Sequence, residues 1–377
     1  MYKATFSSLP PECISLVGLY LDRSDLYNCV TLNKDWLCFF TPHLWRHVQI
    51  HCPREPSRRT FLTEPTLEQR DEWFQRLKRS TEAGGLDRNG HYVHTFDCEH
   101  YEAVELLAAR GEACRGIRVL KLGSYPDPDS SLLKLRKFAY VPPLDLLPLI
   151  RILKRNVRLR HLRLVGRMLD ERNYDFYQLL EDIPGSILCL ELKDWNPIKG
   201  NRKYDRDLRA KEYESGAISD LDLEERDVQG ETRFPLLKEL GFCDYAFDFN
   251  ERTTYYILKN TPNLETLCLR DTYQPIPLKP VSRLLARYCP RIMHLHLRHW
   301  LDCLDDELAE LLDSSKAGWR TLDLPATRSI KDEDEFGPLS TAAIMKHGST
   351  LETLRLDYSQ KFSNLIARGP FRMAGVR

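Results

Sequence analysis

Apolar residues recur along most of this chain in one short pattern: an apolar position, two free positions, an apolar position, one free position, an apolar position. It reads Val93-x-x-Phe96-x-Cys98, Ile117-x-x-Leu120-x-Leu122, Leu159-x-x-Leu162-x-Leu164, Ile187-x-x-Leu190-x-Leu192 and Leu237-x-x-Leu240-x-Phe242. It continues as Leu264-x-x-Leu267-x-Leu269, Ile292-x-x-Leu295-x-Leu297, Trp319-x-x-Leu322-x-Leu324 and Leu351-x-x-Leu354-x-Leu356. The alternation in its second half is that of a short strand with one buried side. Successive starts at Leu237, Leu264, Ile292 and Trp319 lie 27, 28 and 27 residues apart.

Between motifs the sequence reads as helix. Leu144 to Arg155 places Leu146, Leu147, Ile150 and Leu153 on one face, and comparable stretches precede most later motifs. Pro262, Pro290, Gly318 and Gly348 stand where a helix stops before the next strand. A strand followed by a helix cannot bury its own apolar face, so neighbours must stack into one parallel sheet lining a curved solenoid. The free positions then point outward. One column holds Lys121, Arg163, Glu191, Gly241, Cys268, His296, Asp323 and Arg355. It is flanked by His161, Glu239, Thr266, His294, Thr321 and Thr353 on one side, and by Lys193, Cys243, Arg270, Arg298 and Asp357 on the other. Two intervals break the period. That from Ile187 to Leu237 contains the mixed-charge segment 196–234, read as a solvated insertion, and that from Ile117 to Leu159 contains a Pro/Asp/Ser loop signal at 125–131.

The first part of the chain has a helical period instead. Leu9, Ile14, Val17 and Leu21 form a stripe opened by Pro10 and Pro11, which suit a first helical turn. Asp25 is placed as the cap of a second helix carrying Leu26, Cys29, Leu32 and Trp36, with a further turn around Leu44 and Trp45. A module of about 40 residues is too small to bury all these groups alone. A partner surface is implied.

Composition adds boundaries. The chain has 377 residues, is 42% apolar and 29% charged, and carries a formal charge of zero, so no global field selects a nucleic acid or membrane. No apolar run approaches a membrane span, and the start lacks the apolar stretch of a secretory signal. A place in the cytoplasm or nucleus is expected, with the 11 cysteines as free thiols. The neutral total conceals polarity. Residues 110–170 hold 14 Lys/Arg against 5 Asp/Glu, whereas 302–335 hold 11 Asp/Glu against 4 Lys/Arg. Such a gradient suits a partner bound in a fixed direction, or is the drift of solvated faces.

The head also resembles a known family. Leu9-Pro10-x-Glu12, Tyr20-Leu21, Asp25-Leu26, Leu32-Asn33-Lys34-x-Trp36 and Leu44-Trp45-Arg46-x-Val48 together resemble an F-box. The array after it resembles the leucine-rich-repeat branch of F-box proteins, particularly the large fungal expansions, and its period lies in the range of such repeats. The implied fold is α/β: a leucine-rich-repeat solenoid, a horseshoe with parallel strands on the concave face and helices outside, preceded by a small all-α F-box module. The domains are then the F-box at 5–50, a helical linker or N-terminal cap at 51–92, and about nine repeats at 93–377.

The resemblance implies a substrate-recognition adaptor of a Skp–cullin–F-box ubiquitin ligase. Its Skp-adaptor-binding residues would be Leu9, Pro10, Glu12, Ile14, Val17, Leu21, Leu26 and Leu32. Leu9, Pro10, Ile14 and Leu26 are assigned to the interface, and Trp36 and Trp45 to internal packing. The target-binding concave face would use Lys121, Arg163, Glu191, Glu239, Arg270, His294, His296, Arg298, Asp323 and Arg355. Gly18 stands where the family has a bulky aromatic, and Cys13 where it prefers an aliphatic residue. The Asn or Cys that such repeats carry three positions beyond the last leucine is replaced by residues such as Tyr125, Trp195 and Trp300.

No catalytic constellation is evident. Gly-rich phosphate loops, His-Glu-x-x-His and Gly-x-Ser-x-Gly are missing from the sequence. His294 and His296 share a strand face near His299 and Cys268, without a third ligand at fixed geometry for zinc. The expectation is a non-catalytic subunit without metal or cofactor, whose partners are the Skp adaptor, the cullin complex and an unknown target protein. Membrane and nucleic-acid partners are not expected. The alternative is a non-ubiquitin interaction scaffold in which the F-box-like head only caps the array.

Overall fold

The fold is known from a computed structural model, which describes residues 9–50, 67–98, 102–123, 146–165, 176–193, 232–243, 256–270, 278–297, 304–324 and 337–356. The chain forms two compact units, one of Met1–Val165 with Asp182–Pro184, the other of Gly166–Glu181 with Gly185–Arg377. Both are α/β with open parallel sheets.

The first unit begins with three helices, α1 (Pro11–Tyr20), α2 (Arg23–Leu32) and α3 (Lys34–Arg46). Pro11 occupies the first helical position of α1, as its missing N–H allows. The cap of α2 is Asp22 rather than Asp25: its carboxylate accepts the Asp25 N–H at 2.8 Å, leaving Asp25 in the first turn. Trp36 does not continue α2. Asn33 ends that helix and caps the next, its side-chain oxygen accepting the Trp36 N–H at 2.9 Å. Leu44 and Trp45 are the last turn of α3.

Strand β1 (His47–Gln49) follows α3 directly. After it come α4 (Leu67–Glu82), α5 (Gly85–Asn89), a 3-10 turn at Gly90–Tyr92, β2 (Thr95–Cys98), α6 (Ala103–Arg110), β3 (Val119–Gly123), α7 (Leu146–Arg155) and β4 (His161–Val165). Strands β1 to β4 pair in parallel in chain order, with Val48, Phe96, Leu120 and Leu162 in one buried row. The first strand was hidden within the head, although Trp45-x-x-Val48-x-Ile50 carries the array's own spacing. In α7 the core residues are Leu149, Ile150, Ile152 and Leu153; Leu147, expected inside, is exposed.

The second unit contains α8 (Phe176–Asp182, its last residue counted with the first unit), β5 (Cys189–Lys193), β6 (Glu239–Cys243), a helical turn at 256–259, β7 (Thr266–Arg270) and α9 (Leu278–Tyr288). It continues with β8 (His294–His296), α10 (Asp305–Asp313), β9 (Thr321–Leu324), α11 (Pro338–Lys346) and β10 (Thr353–Leu356). Strands β5 to β10 pair in parallel in chain order. Helix α9 packs on α10, and α10 on α11.

The apolar motif explains this register. Leu190, Leu240, Leu267, Leu295 and Leu322 lie side by side on neighbouring strands, and all are buried. The motif's first residue is buried at each start from Val93 to Trp319, so the chain enters every strand over a filled core. Each such leucine contributes about 1.5 to 3 kcal/mol by leaving water. Only the last unit is looser, with Leu351, Leu354 and Leu356 half-buried. Gly318, where α10 turns back toward β9, has φ +81°, a left-handed conformation suited to glycine. The insertion at 196–234 lies outside the described residues except for its last three positions. Tyr125, Trp195 and Trp300 lie outside the described residues as well.

Candidate interaction surfaces

The helical head has a core of its own. Ile14, Leu26 and Phe40 are buried together, and Leu21, Cys29, Val30, Trp36, Phe39 and Leu44 pack around them. Ile14 is only 1% exposed and Leu26 6%; both residues, which the resemblance assigns to the interface, hold α1 and α2 to α3. Leu21 and Trp36 are half-buried against the same core, and Trp45 is half-buried as well. Leu9, Pro10, Glu12, Val17 and Leu32 remain exposed.

What the head leaves outside is unusually apolar. Among the described residues, eight of the thirteen exposed large apolar side chains belong to it: Leu9, Leu16, Val17, Leu19, Tyr20, Tyr27, Leu32 and Leu37. Tyr20 is 88% exposed and Leu32 65%. Leu16, Leu19, Tyr20, Tyr27 and Leu37 were not among the expected docking residues. Helix α1 is apolar nearly all round, so its sequence had to present some of these groups to water or to a partner. Scattered exposed leucines are ordinary, whereas a concentration within some 40 residues is the pattern of an interaction site.

The outward strand face is the second surface. In the first unit, Gln49, Asp97, Lys121 and Arg163 follow one another across β1 to β4. Asp97 is buried, and its Oδ2 lies 3.2 Å from Lys121 Nζ. In the second unit the column reads Glu191, Gly241, Cys268, His296, Asp323 and Arg355. Glu191, Cys268 and His296 are half-buried, and Arg355 is exposed. Asp323 is buried beside His296, with 3.4 Å between Oδ2 and Nδ1. Asp323 is thus engaged within the sheet, a role that its outward position alone did not reveal.

Glu239, His294 and the threonines Thr266, Thr321 and Thr353 form the flanking column of the second unit, with Glu239 exposed and the others half-buried. The His294 imidazole is held below its usual range by burial first, then by His296 and Arg320, against opposing effects of Glu352 and Glu265. Arg270 closes β7. Arg298, His299 and Asp357 lie outside the described residues. Among the described residues, no group of three or more potential metal ligands is gathered, and no helix is long and apolar enough to cross a membrane.

Compared with known proteins, the sequence matches no family model and no curated protein.

Proposed function

We propose that the chain is the target-recognition subunit of a Skp–cullin–F-box ubiquitin ligase, with an F-box-type head that docks on the Skp adaptor and leucine-rich repeats that capture the target. The observation that carries this reading is the head itself: three helices, the second and third capped by Asp22 and Asn33, with an internal core of Ile14, Leu26 and Phe40 and an outer surface rich in exposed apolar side chains. Its sequence order from Leu9-Pro10 to Trp45 is that of the F-box pattern. Catalysis would come from proximity, the repeats holding a target near an enzyme supplied by the scaffold.

The test is co-expression with the Skp adaptor. The intact chain is expected to co-purify with it, and Leu19→Glu with Tyr20→Glu to abolish capture while leaving the circular dichroism spectrum unchanged, because both side chains are exposed. Failure of the intact chain to hold the adaptor would sink this reading.

A second reading is a protein-interaction scaffold unconnected with ubiquitin, in which the head serves as the cap of the array. It is favoured by the unbroken passage from α3 into β1 and by the Arg46 carbonyl accepting the His94 N–H at 3.0 Å. Solenoids require such caps. Here deletion of residues 9–46 unfolds the first unit, and the adaptor is not captured by any variant.

A further inference from the structure

The residue just before each strand forms a row of its own, because its carbonyl accepts the two N–H groups that open the next strand. His94 O accepts from Arg118 N at 2.8 Å and Val119 N at 3.1 Å, and Arg118 O accepts from Arg160 N at 2.8 Å and His161 N at 3.0 Å. Arg46 starts the row through its bond to His94 N. In the first unit the row therefore reads Arg46, His94, Arg118, Arg160. Successive members stand one strand spacing apart, about 4.8 Å, so the row is about 14 Å long.

The second unit shows what this row carries when its charges are matched. There it reads Leu188, Lys238, Glu265, Met293, Arg320, Glu352 by the same hydrogen-bond pattern. Lys238 Nζ lies 2.8 Å from Glu265 Oε1, and Arg320 Nη1 3.8 Å from Glu352 Oε1. The row of the first unit has no acid in it. Among the described residues no carboxylate pairs with Arg118 or Arg160, both of which are exposed. Arg46 is half-buried, and its Nε has no hydrogen-bond partner among them. The like charges of Arg118 and Arg160, one strand spacing apart, repel each other, and an anion laid along the row relieves that repulsion.

Two features narrow the kind of anion. Asp97, buried in the adjoining strand face, is paired with Lys121 and so offsets the positive charge beside the row at β2 and β3. No Phe, Tyr or Trp stands among the outward residues of β1 to β4, so there is no indole, phenol or phenyl platform of the kind on which unpaired bases stack. The length of the row matches about four residues of extended chain.

We propose that Arg46, His94, Arg118 and Arg160 dock an extended acidic peptide segment of a partner protein, its carboxylates or phosphoryl groups lying along the row. This names the chemistry of the target under the function proposed above and in that sense rests on it. The binding itself is measurable without the adaptor, so either statement can fail alone.

The experiment is fluorescence anisotropy of the full chain with four dye-labelled probes: a glutamate-rich peptide, its phosphoserine counterpart, its glutamine counterpart, and a single-stranded oligonucleotide. Both acidic peptides are expected to bind, with affinity falling as salt rises, and the glutamine peptide to bind far more weakly. Arg118→Glu with Arg160→Glu is expected to weaken the acidic peptides about tenfold or more, through two exposed charge contacts turned repulsive. Arg291→Glu with Lys316→Glu, the same charge change outside the row, is expected to stay within about twofold, the effect of a screened change in net charge. Equal binding of the glutamine peptide, equal effects of the two double variants, or preference for the oligonucleotide over both acidic peptides would each overturn the proposal.

Discussion

At Gly18 the ring of His43 fills the space that a side chain would take. A Cβ there would lie 2.6 Å from His43 Cδ2, and the ring is tethered by Nε2 at 3.2 Å from Ser15 Oγ. Alanine in a helix is worth about 1 kcal/mol over glycine, but overpacking costs about 1 to 3 kcal/mol. Gly18→Ala is therefore expected to destabilise the folded chain by roughly 1 kcal/mol in urea denaturation. In a His43→Ala background the same change should stabilise, and an unchanged sign would refute the steric account. Three imidazoles in this region also make stability depend on pH. Burial lowers His43, with Arg46 next; burial lowers His47, then Arg46 and His94; burial lowers His94, then Arg46 and Arg118. All three bind protons less readily folded than unfolded, so their contribution is complete above the ordinary value of 6.5 and is lost as pH falls through their lower folded values. The urea midpoint is expected to drop between about pH 7 and 5. His94→Gln, which removes one titrating group, should make that drop shallower.

At five of the turns that lead into a strand, side chains bind the backbone of the preceding repeat. Asn156, 1% exposed, accepts the Ile117 N–H at 3.0 Å and donates to Ile152 O at 2.9 Å. Asn263 donates to Pro235 O at 2.8 Å, Ser315 to Ile292 O at 2.7 Å and Thr350 to Trp319 O at 3.0 Å. Cys289 reaches Leu258 O at 3.6 Å, with burial pushing its thiol up to about 12. Asn156→Ala leaves a buried N–H without an acceptor and is expected to cost about 1 to 3 kcal/mol. Ser315→Ala, which deprives only a carbonyl, should cost less in the same denaturation series. This tie was illegible in the sequence because asparagine, serine, threonine and cysteine share it without a common residue type. Strands β2 to β10 were legible because one side of each carries unbroken apolar residues. Strand β1 was missed because Trp45 belongs at once to α3 and to the motif ending at Ile50. The exposed side of α1 was read only in part, since a helix apolar on nearly every side does not declare which side is core. Packing decides that, with Ile14 and Gly18 turned inward and Leu16, Leu19 and Tyr20 outward.

At the scale of the whole molecule, a repeat stack distributes its stability in series. Each strand pairs only with its sequence neighbours inside its unit, so the free energy is approximately a sum of repeat terms and nearest-neighbour terms. Damage to one repeat should then stay near it, as local opening, rather than lower protection everywhere. Trp319 is the place to test this. It is fully buried, takes the motif's first position where the units from Val93 to Ile292 have smaller aliphatic residues, and donates its indole N–H to Leu312 O at 2.6 Å. Trp319→Ala removes that bond and leaves a large cavity, a loss of about 3 to 5 kcal/mol. Hydrogen exchange read by mass spectrometry is expected to show lost protection in β8 to β10 and in α10 and α11, with β1 to β4 unchanged. Trp319→Phe, which keeps most of the volume but not the hydrogen bond, should loosen the same segments less. Uniform loss of protection from β1 to β10 would instead mean that the chain folds as one cooperative block, and that strain on one repeat is felt by all of them.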